Sequence, residues 1–185
     1  MDPRIILRNI SVLKDDYLSQ HQTGVALYAG LMSRLICPNM AEIVTFAARY
    51  HDTGKIGIPD NVLFKQDQLD KLEWQFMRQH PVIGAELIEK GNGGLGLNGD
   101  LSSVVLAVRH HHERWDGAGY PDGLRGEDIP LPARIIAVAD AYDAMTTDRP
   151  YRRAASMEEA VREILRCSGT QFDPVVVEAF GKVVG

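Results

Sequence analysis

The stretch His51-Asp52-Thr53-Gly54-Lys55 puts an imidazole and a carboxylate on consecutive residues, followed by a glycine and a cation. Both ligand types suit a borderline or hard divalent metal, and one carboxylate can bridge two ions. A lone His-Asp pair at a helix end is more often a chance neighbour than a ligand set. The other histidines reverse that weighing. There are six in all: His21, His51, His80 and the run His110-His111-His112. His21 shares a helical face with Val25, Tyr28 and Met32, and His111 and His112 close a run striped by Leu101, Val104, Val105 and Val108. Asp140 ends the apolar run Ile135-Ile136-Ala137-Val138-Ala139, where a carboxylate is costly unless paired or metal-bound. Asp143 lies about one turn further along and is the alternative to it. One buried histidine is ordinarily a hydrogen-bonded core residue. Several, with aspartates on apolar faces, point to a metal cluster.

The elements that must hold these residues read as helices. An amphipathic helix is predicted from about Asp15 to Ile36, stopping at Pro38. Asn39 with Glu42 resembles a capping box for the helix that ends at His51. A loop from Gly54 to Gln68 contains the buried-looking Val62-Leu63-Phe64, and Asp70 with Glu73 opens a short helix holding Trp74, Phe76 and Met77. Pro81 starts the next helix at its first position. Helix 101–112 delivers the histidine run, and a glycine-rich loop then leads to Pro130 with a candidate cis bond at Tyr120-Pro121. Asp140 and Asp143 sit on a helix from about Pro132 to Thr147. Ser156 with Glu159 caps helix 157–167, and Asp173-Pro174 opens the last one. Segment 91–99 matches G-x-G-x-x-G, but no strand precedes it and no βαβ unit surrounds it, so it reads as a connector between helices. Strand signals are sparse. The expected class is all-α.

Composition bounds the rest. With 185 residues and 45% hydrophobic content, the chain can bury one substantial core, so one domain over residues 1–185 is expected. A net charge of −5 argues against a nucleic-acid polymer as partner, though not against a small anion held locally. Cys37 and Cys167 lie far apart and form no C-x-x-C, which suits a reducing cytosol and a cytoplasmic location. No apolar run approaches a membrane span and no signal peptide opens the chain. It begins almost directly in the domain, as a piece excised from a longer sensory or response-regulator chain would.

The motifs together resemble the HD-GYP domain, a branch of the HD superfamily of metal-dependent phosphohydrolases. The elements that carry the likeness are His51-Asp52 with Lys55 and Ile58-Pro59, His80-Pro81 with Gly84, and His111-His112-Glu113 before Asp116-Gly117. Gly119-Tyr120-Pro121, Gly123-Leu124, Ile129-Pro130, Arg134, Asp140-Ala141-Tyr142-Asp143-Ala144-Met145 and Arg149-Pro150-Tyr151-Arg152 complete it. They run in the correct order from about His21 to the C-terminus, which is far more specific than any one motif.

The resemblance implies a compact, HD-domain-like bundle of about seven helices and hydrolysis of cyclic di-GMP. By the family pattern His21, His51, Asp52 and Asp140 hold one ion, and Asp52 bridges to a second held by His80, His111 and His112; His110 is unassigned. A ligand set rich in imidazole and carboxylate suits six-coordinate iron or manganese better than tetrahedral zinc. In some members a glutamate four residues before the first histidine helps to hold a third metal. Tyr17 stands at that position here, with Asp16 beside it, so two ions are expected. Segment 91–99 is longer than the family usually has, so entry to the site is expected to differ.

The implied mechanism is attack by a metal-bridged hydroxide, giving linear pGpG and, after a second cut, GMP. Asp52 and Lys55 are the catalytic residues, with Lys55 steadying the phosphate or the leaving oxygen. Tyr120, Arg149 and Arg152 join Lys55 in binding substrate, the arginines by forking onto the other phosphate or a guanine edge. The loop Gly119-Tyr120-Pro121 is the family's surface for contact with diguanylate cyclase domains. Three rival readings are a catalytically idle nucleotide sensor or docking module, a hydrolase of cyclic GMP-AMP, and a broader HD enzyme acting on nucleoside phosphates. The complete ligand set weighs against the first, and the Gly119-Tyr120-Pro121 loop with the Arg149 to Arg152 motif weighs against the last.

Overall fold

The computed structural model describes residues 16–91, 101–148 and 153–185. Their regular structure is helical: α1 Asp16–Ile36, α2 Ala41–Tyr50, α3 Asp60–Leu63, α4 Lys71–Met77, α5 His80–Lys90, α6 Leu101–His110, α7 Leu131–Thr146, α8 Met157–Arg166 and α9 Pro174–Val184. No strand occurs among the described residues beyond an isolated bridge between Ser168 and Phe172. The all-α expectation holds. Seven of these helices have ten or more residues, matching the expected count, and α3 and α4 are short additions between α2 and α5.

Local signals explain most boundaries. Asp70 opens α4 with a full capping box, its carboxylate accepting from the amides of Leu72 and Glu73 while Glu73 reaches back to the Asp70 amide. Ser156 and Glu159 do the same for α8, and the Asp173 side chain accepts from the amide of Val175 at the start of α9. The expected Asn39–Glu42 box does not form. Pro38 instead starts a 3₁₀ turn over Pro38–Met40, and Met40 caps α2 without a side-chain hydrogen bond.

One core joins the long helices. Val25, Ala29 and Met32 of α1 meet Val44, Ala47 and Ala48 of α2, Val104 and Val108 of α6, and Ile135, Ile136 and Ala139 of α7. Small residues let α1, α2 and α7 approach closely, so that side chains at their ends converge. The α3–α4 arm lies outside this core. Val62 is buried, but Phe64 is 50% exposed and no residue of α4 is buried, so the apolar triplet read as buried contributes one buried residue. No helix among the described residues is long and apolar enough to cross a membrane.

One close backbone contact registers the site. A Cβ on Gly54 would stand 1.9 Å from the His80 carbonyl oxygen and 2.4 Å from the Gly84 amide nitrogen. The turn after the His-Asp pair therefore lies directly on the first turn of α5. We predict that Gly54→Ala costs about 1–3 kcal/mol or more through overpacking against main chain that cannot give way. Thermal melting should show a Tm lower by several degrees, and metal analysis a reduced capacity; an unchanged melting point would contradict this contact.

Candidate metal centre

Each predicted metal-ligand residue sits at an element end or on an inward face. His21 comes from the first turns of α1, His51 and Asp52 from the C-terminal end of α2, His80 from the start of α5, His111 and His112 from the turn after α6, and Asp140 from α7. The family-pattern ligands are brought together. Ligand atoms of His21, His51 and Asp140 lie within 4.8 Å of one another, as do those of His80, His111 and His112, and those of His51, Asp52 and His111. Asp52 is 2% exposed and stands between the halves. Its Oδ2 lies 3.4 Å from His51 Nε2 and 4.0 Å from His21 Nε2, and its Oδ1 lies 3.3 Å from His80 Nε2. Asp140 Oδ1 is 3.1 Å from His21 Nε2 and 3.9 Å from His51 Nε2.

The backbone fixes the imidazole tautomers. Nδ1 of His51 meets the Ala48 carbonyl at 2.6 Å, Nδ1 of His80 the Met77 carbonyl at 2.8 Å, and Nδ1 of His111 the Val108 carbonyl at 2.6 Å. A carbonyl only accepts, so each Nδ1 carries a proton, and in its neutral form each ring turns an Nε2 lone pair inward. Nε2 of His80 and Nε2 of His111 then face each other at 3.4 Å with no proton to share. His51 Nε2 and Asp52 Oδ1 are buried without any hydrogen-bond partner. Buried lone pairs gathered in this way are costly, and a cation satisfies them. The residues present fit a metal.

Electrostatics agree. Burial pushes His80 down to about 3, takes His111 well below the usual histidine range and lowers His112, so all three favour the neutral, ligating form. Burial disfavours the Asp52 carboxylate, but the Lys55 ammonium outweighs it and holds Asp52 well below the usual range. For Asp140 the hydrogen bond to His21 likewise overcomes burial and lowers it. His21 differs. Burial opposes its charge, yet hydrogen bonds to Asp140 and Asp143 raise it to about 9. A cation on its Nε2 would take the place of that proton.

Asp143, weighed in the sequence as the alternative to Asp140, has a separate place. Its Oδ2 accepts from His21 Nδ1 at 2.6 Å, on the side of the ring away from Asp140. This is the carboxylate–histidine arrangement that fixes the orientation of a ligand ring. Gly24 makes room for it: a Cβ there would stand 1.8 Å from Asp143 Oδ1. The pairing of Gly24 with Asp143 is a signal that no single helix reveals.

Lys55 is 26% exposed and its Nζ donates to Asp52 Oδ2 at 2.5 Å, which places it beside the candidate ligands. Tyr120 stacks on His112, with ring centroids 4.9 Å apart and planes 29° apart, and the Tyr120-Pro121 bond is cis. His110 points elsewhere. Its Nδ1 donates to the Leu106 carbonyl at 2.9 Å, and its Nε2 lies 2.9 Å from Asp122 Oδ2, which Arg109 also grips with two hydrogen bonds. The Glu113 carboxylate accepts from the amides of Asp122 and Gly123. The residues around the histidine run therefore fasten the loop that carries Tyr120, a role the sequence left unassigned. Arg149, Arg152 and segment 92–99 lie outside the described residues, as does the side chain of Tyr17.

Comparison with known proteins places this geometry. The HD domain pattern matches residues 6–176. The chain belongs to the HD domain family, and its GYP loop and accompanying motifs put it in the HD-GYP branch. It is 40% identical over 182 residues to a cyclic di-GMP phosphodiesterase of Thermotoga maritima, a match covering 96% of this chain and 48% of that protein. It is 36% identical over 160 residues to 3'3'-cGAMP-specific phosphodiesterase 2 of Vibrio cholerae, covering 85% of this chain and 30% of that one. The chain thus spans half or less of the length of these relatives. Among solved structures, an HDG"Y"P protein from Bdellovibrio bacteriovorus superposes with a TM-score of 0.68 at 20% identity, covering 90% of this chain and 52% of that one. That likeness is one of fold.

Proposed function

We propose that this chain is a metal-dependent phosphodiesterase that opens cyclic di-GMP to linear pGpG, with GMP as the product of a second cut. The observation that carries the reading is the set of inward Nε2 lone pairs, fixed by backbone carbonyls, around the buried carboxylate of Asp52. His21, His51 and Asp140 would hold one divalent cation and His80, His111 and His112 a second, with Asp52 shared. Iron or manganese suits this donor set. When bound, such a pair supplies an acidified water as nucleophile and neutralises phosphate charge.

The protein's own residues supply the rest. Asp143 and the three backbone carbonyls hold the ligand rings, so little reorganisation is left to the reaction. Lys55 is partly exposed beside Asp52, within reach of a phosphate oxygen or the departing 3′-oxygen as charge develops there. Tyr120 walls the site over His112, and Arg149 and Arg152 bind a guanine edge. The Gly119-Tyr120-Pro121 loop is also the surface we assign to contact with a diguanylate cyclase domain. The free thiols of Cys37 and Cys167 suit the reducing cytoplasm that we propose as its location.

The choice of cyclic di-GMP rests on the Thermotoga relative, at 40% identity over nearly the whole chain. The test is anaerobic reconstitution with iron or manganese, incubation with cyclic di-GMP, and chromatography of the products. Metal-dependent appearance of pGpG is expected. Nucleotide binding without ring opening would identify a sensor, and faster turnover of cyclic GMP-AMP would move the substrate assignment.

A further inference from the structure

Arg78 has no place in the ligand set or in the motifs that carry the family likeness. It follows α4 and precedes His80 by two residues. Its backbone amide donates to the Trp74 carbonyl at 3.0 Å, which fixes where the side chain leaves the main chain. The guanidinium lies over the Tyr120 ring, with Cζ 5.2 Å from the ring centroid. That ring is the one stacked on His112, which in turn lies edge-on to His80 with centroids 5.0 Å apart. Arg78 and the ligand cluster therefore share contact with one ring, Tyr120.

Its charge is also uncommitted. Arg109, Arg114, Arg134 and Arg166 each pair with a carboxylate, on Asp122, Asp116, Asp173 and Glu163 respectively. Lys55, the cation beside the candidate ligands, is bound to Asp52. Among the described residues Arg78 has no carboxylate partner, and it is exposed. A guanidinium lying on an aromatic face keeps its N–H edge in its own plane, free to fork onto a phosphate.

We infer that Arg78, seated on Tyr120 beside the ligand cluster, binds the second, uncleaved phosphate of a cyclic dinucleotide. The inference rests on the proposed activity. Such a substrate carries two phosphodiesters, and only one is at the reacting centre in a given cut. The other needs a cation outside the ligand set, and Arg78 supplies one on the Tyr120 ring that also stacks on His112. A phosphate contact reads no base, so it contributes affinity for the whole substrate class.

The experiment compares Arg78→Ala and Arg78→Lys with the unaltered protein, all loaded with manganese. The substrates are cyclic di-GMP and bis(p-nitrophenyl) phosphate, which has a single phosphate. Arg78→Ala should raise KM for cyclic di-GMP on the order of 10- to 100-fold, the loss expected for a charge-assisted contact, with kcat nearly unchanged. Arg78→Lys should recover part of it. Metal content and hydrolysis of bis(p-nitrophenyl) phosphate should not move. Equal losses on both substrates would make Arg78 a support of Tyr120 and overturn the inference, as would no loss on either. A loss on cyclic di-GMP absent with cyclic di-AMP would point to a guanine edge and also overturn it. Should the unaltered protein open no cyclic dinucleotide, the proposed activity falls separately. The same variants are then compared by calorimetric binding of cyclic di-GMP, where an unchanged Kd in Arg78→Ala overturns the inference.

Discussion

Asp52→Ala should abolish hydrolysis of cyclic di-GMP, by at least about 1000-fold, and lower the bound metal in both halves of the site. Asp52 is the residue whose two oxygens face different ligand groups, Oδ2 toward His51 and His21 and Oδ1 toward His80. No neighbour can replace it, because Asp140 approaches only the His21–His51 side. The helices should survive the change. Asp52 lies in the turn beyond α2 rather than in the apolar core, and partly exposed Lys55 can swing toward solvent once its partner is gone. Metal analysis, circular dichroism and turnover on one preparation check this. Retention of both metals with full helicity would show that Asp52 is not shared.

The second large effect belongs to Lys55. Lys55→Ala should keep the metals and lower kcat on the order of 100- to 1000-fold, the loss typical of one charge-assisted contact to developing oxyanion charge. The contact with Asp52 makes this more than a repeat of the first prediction. If the ammonium acts on phosphate, metal content stays level while kcat falls. If it acts by holding Asp52, metal content falls with the rate. Metal analysis beside kcat separates the two, and loss of metal would count against a direct role at the phosphate. Set against Arg78→Ala, where KM should move and kcat should not, the two variants divide reacting phosphate from anchoring phosphate.

The residues that converge on the candidate centre were legible because each carried a local cost. An aspartate after Ile135–Ala139, or histidines closing the valine stripe of α6, break an apolar pattern and ask for a partner. Capping was equally readable where the residues stood alone, at Asp70 with Glu73 and at Ser156 with Glu159. It failed at Asn39 because Pro38 imposes a 3₁₀ turn first. Phe64 misled because its apolar triplet lies on an arm beside the core, where only Val62 is covered.

What stayed hidden depends on contacts between elements distant in sequence. Asp143 meets His21 across 122 residues, in space opened by Gly24. Arg78 meets Tyr120 only after the loop folds back onto His112. His110 looks like a third ligand in the run, but its ring turns to Asp122 because its neighbours His111 and His112 already point at the cluster. The backbone locks on His51, His80 and His111 each span three residues and are local, yet they form only where a helix end leaves a carbonyl in reach of the ring.

Asp52 should stand between two cation sites formed by different histidines. An anomalous-scattering map of crystals grown anaerobically with iron or manganese tests it most directly. Two peaks are predicted, one among His21, His51 and Asp140, the other among His80, His111 and His112, with the Asp52 carboxylate between them. A single tetrahedral ion, or a pair with Asp52 touching only one, would contradict the account.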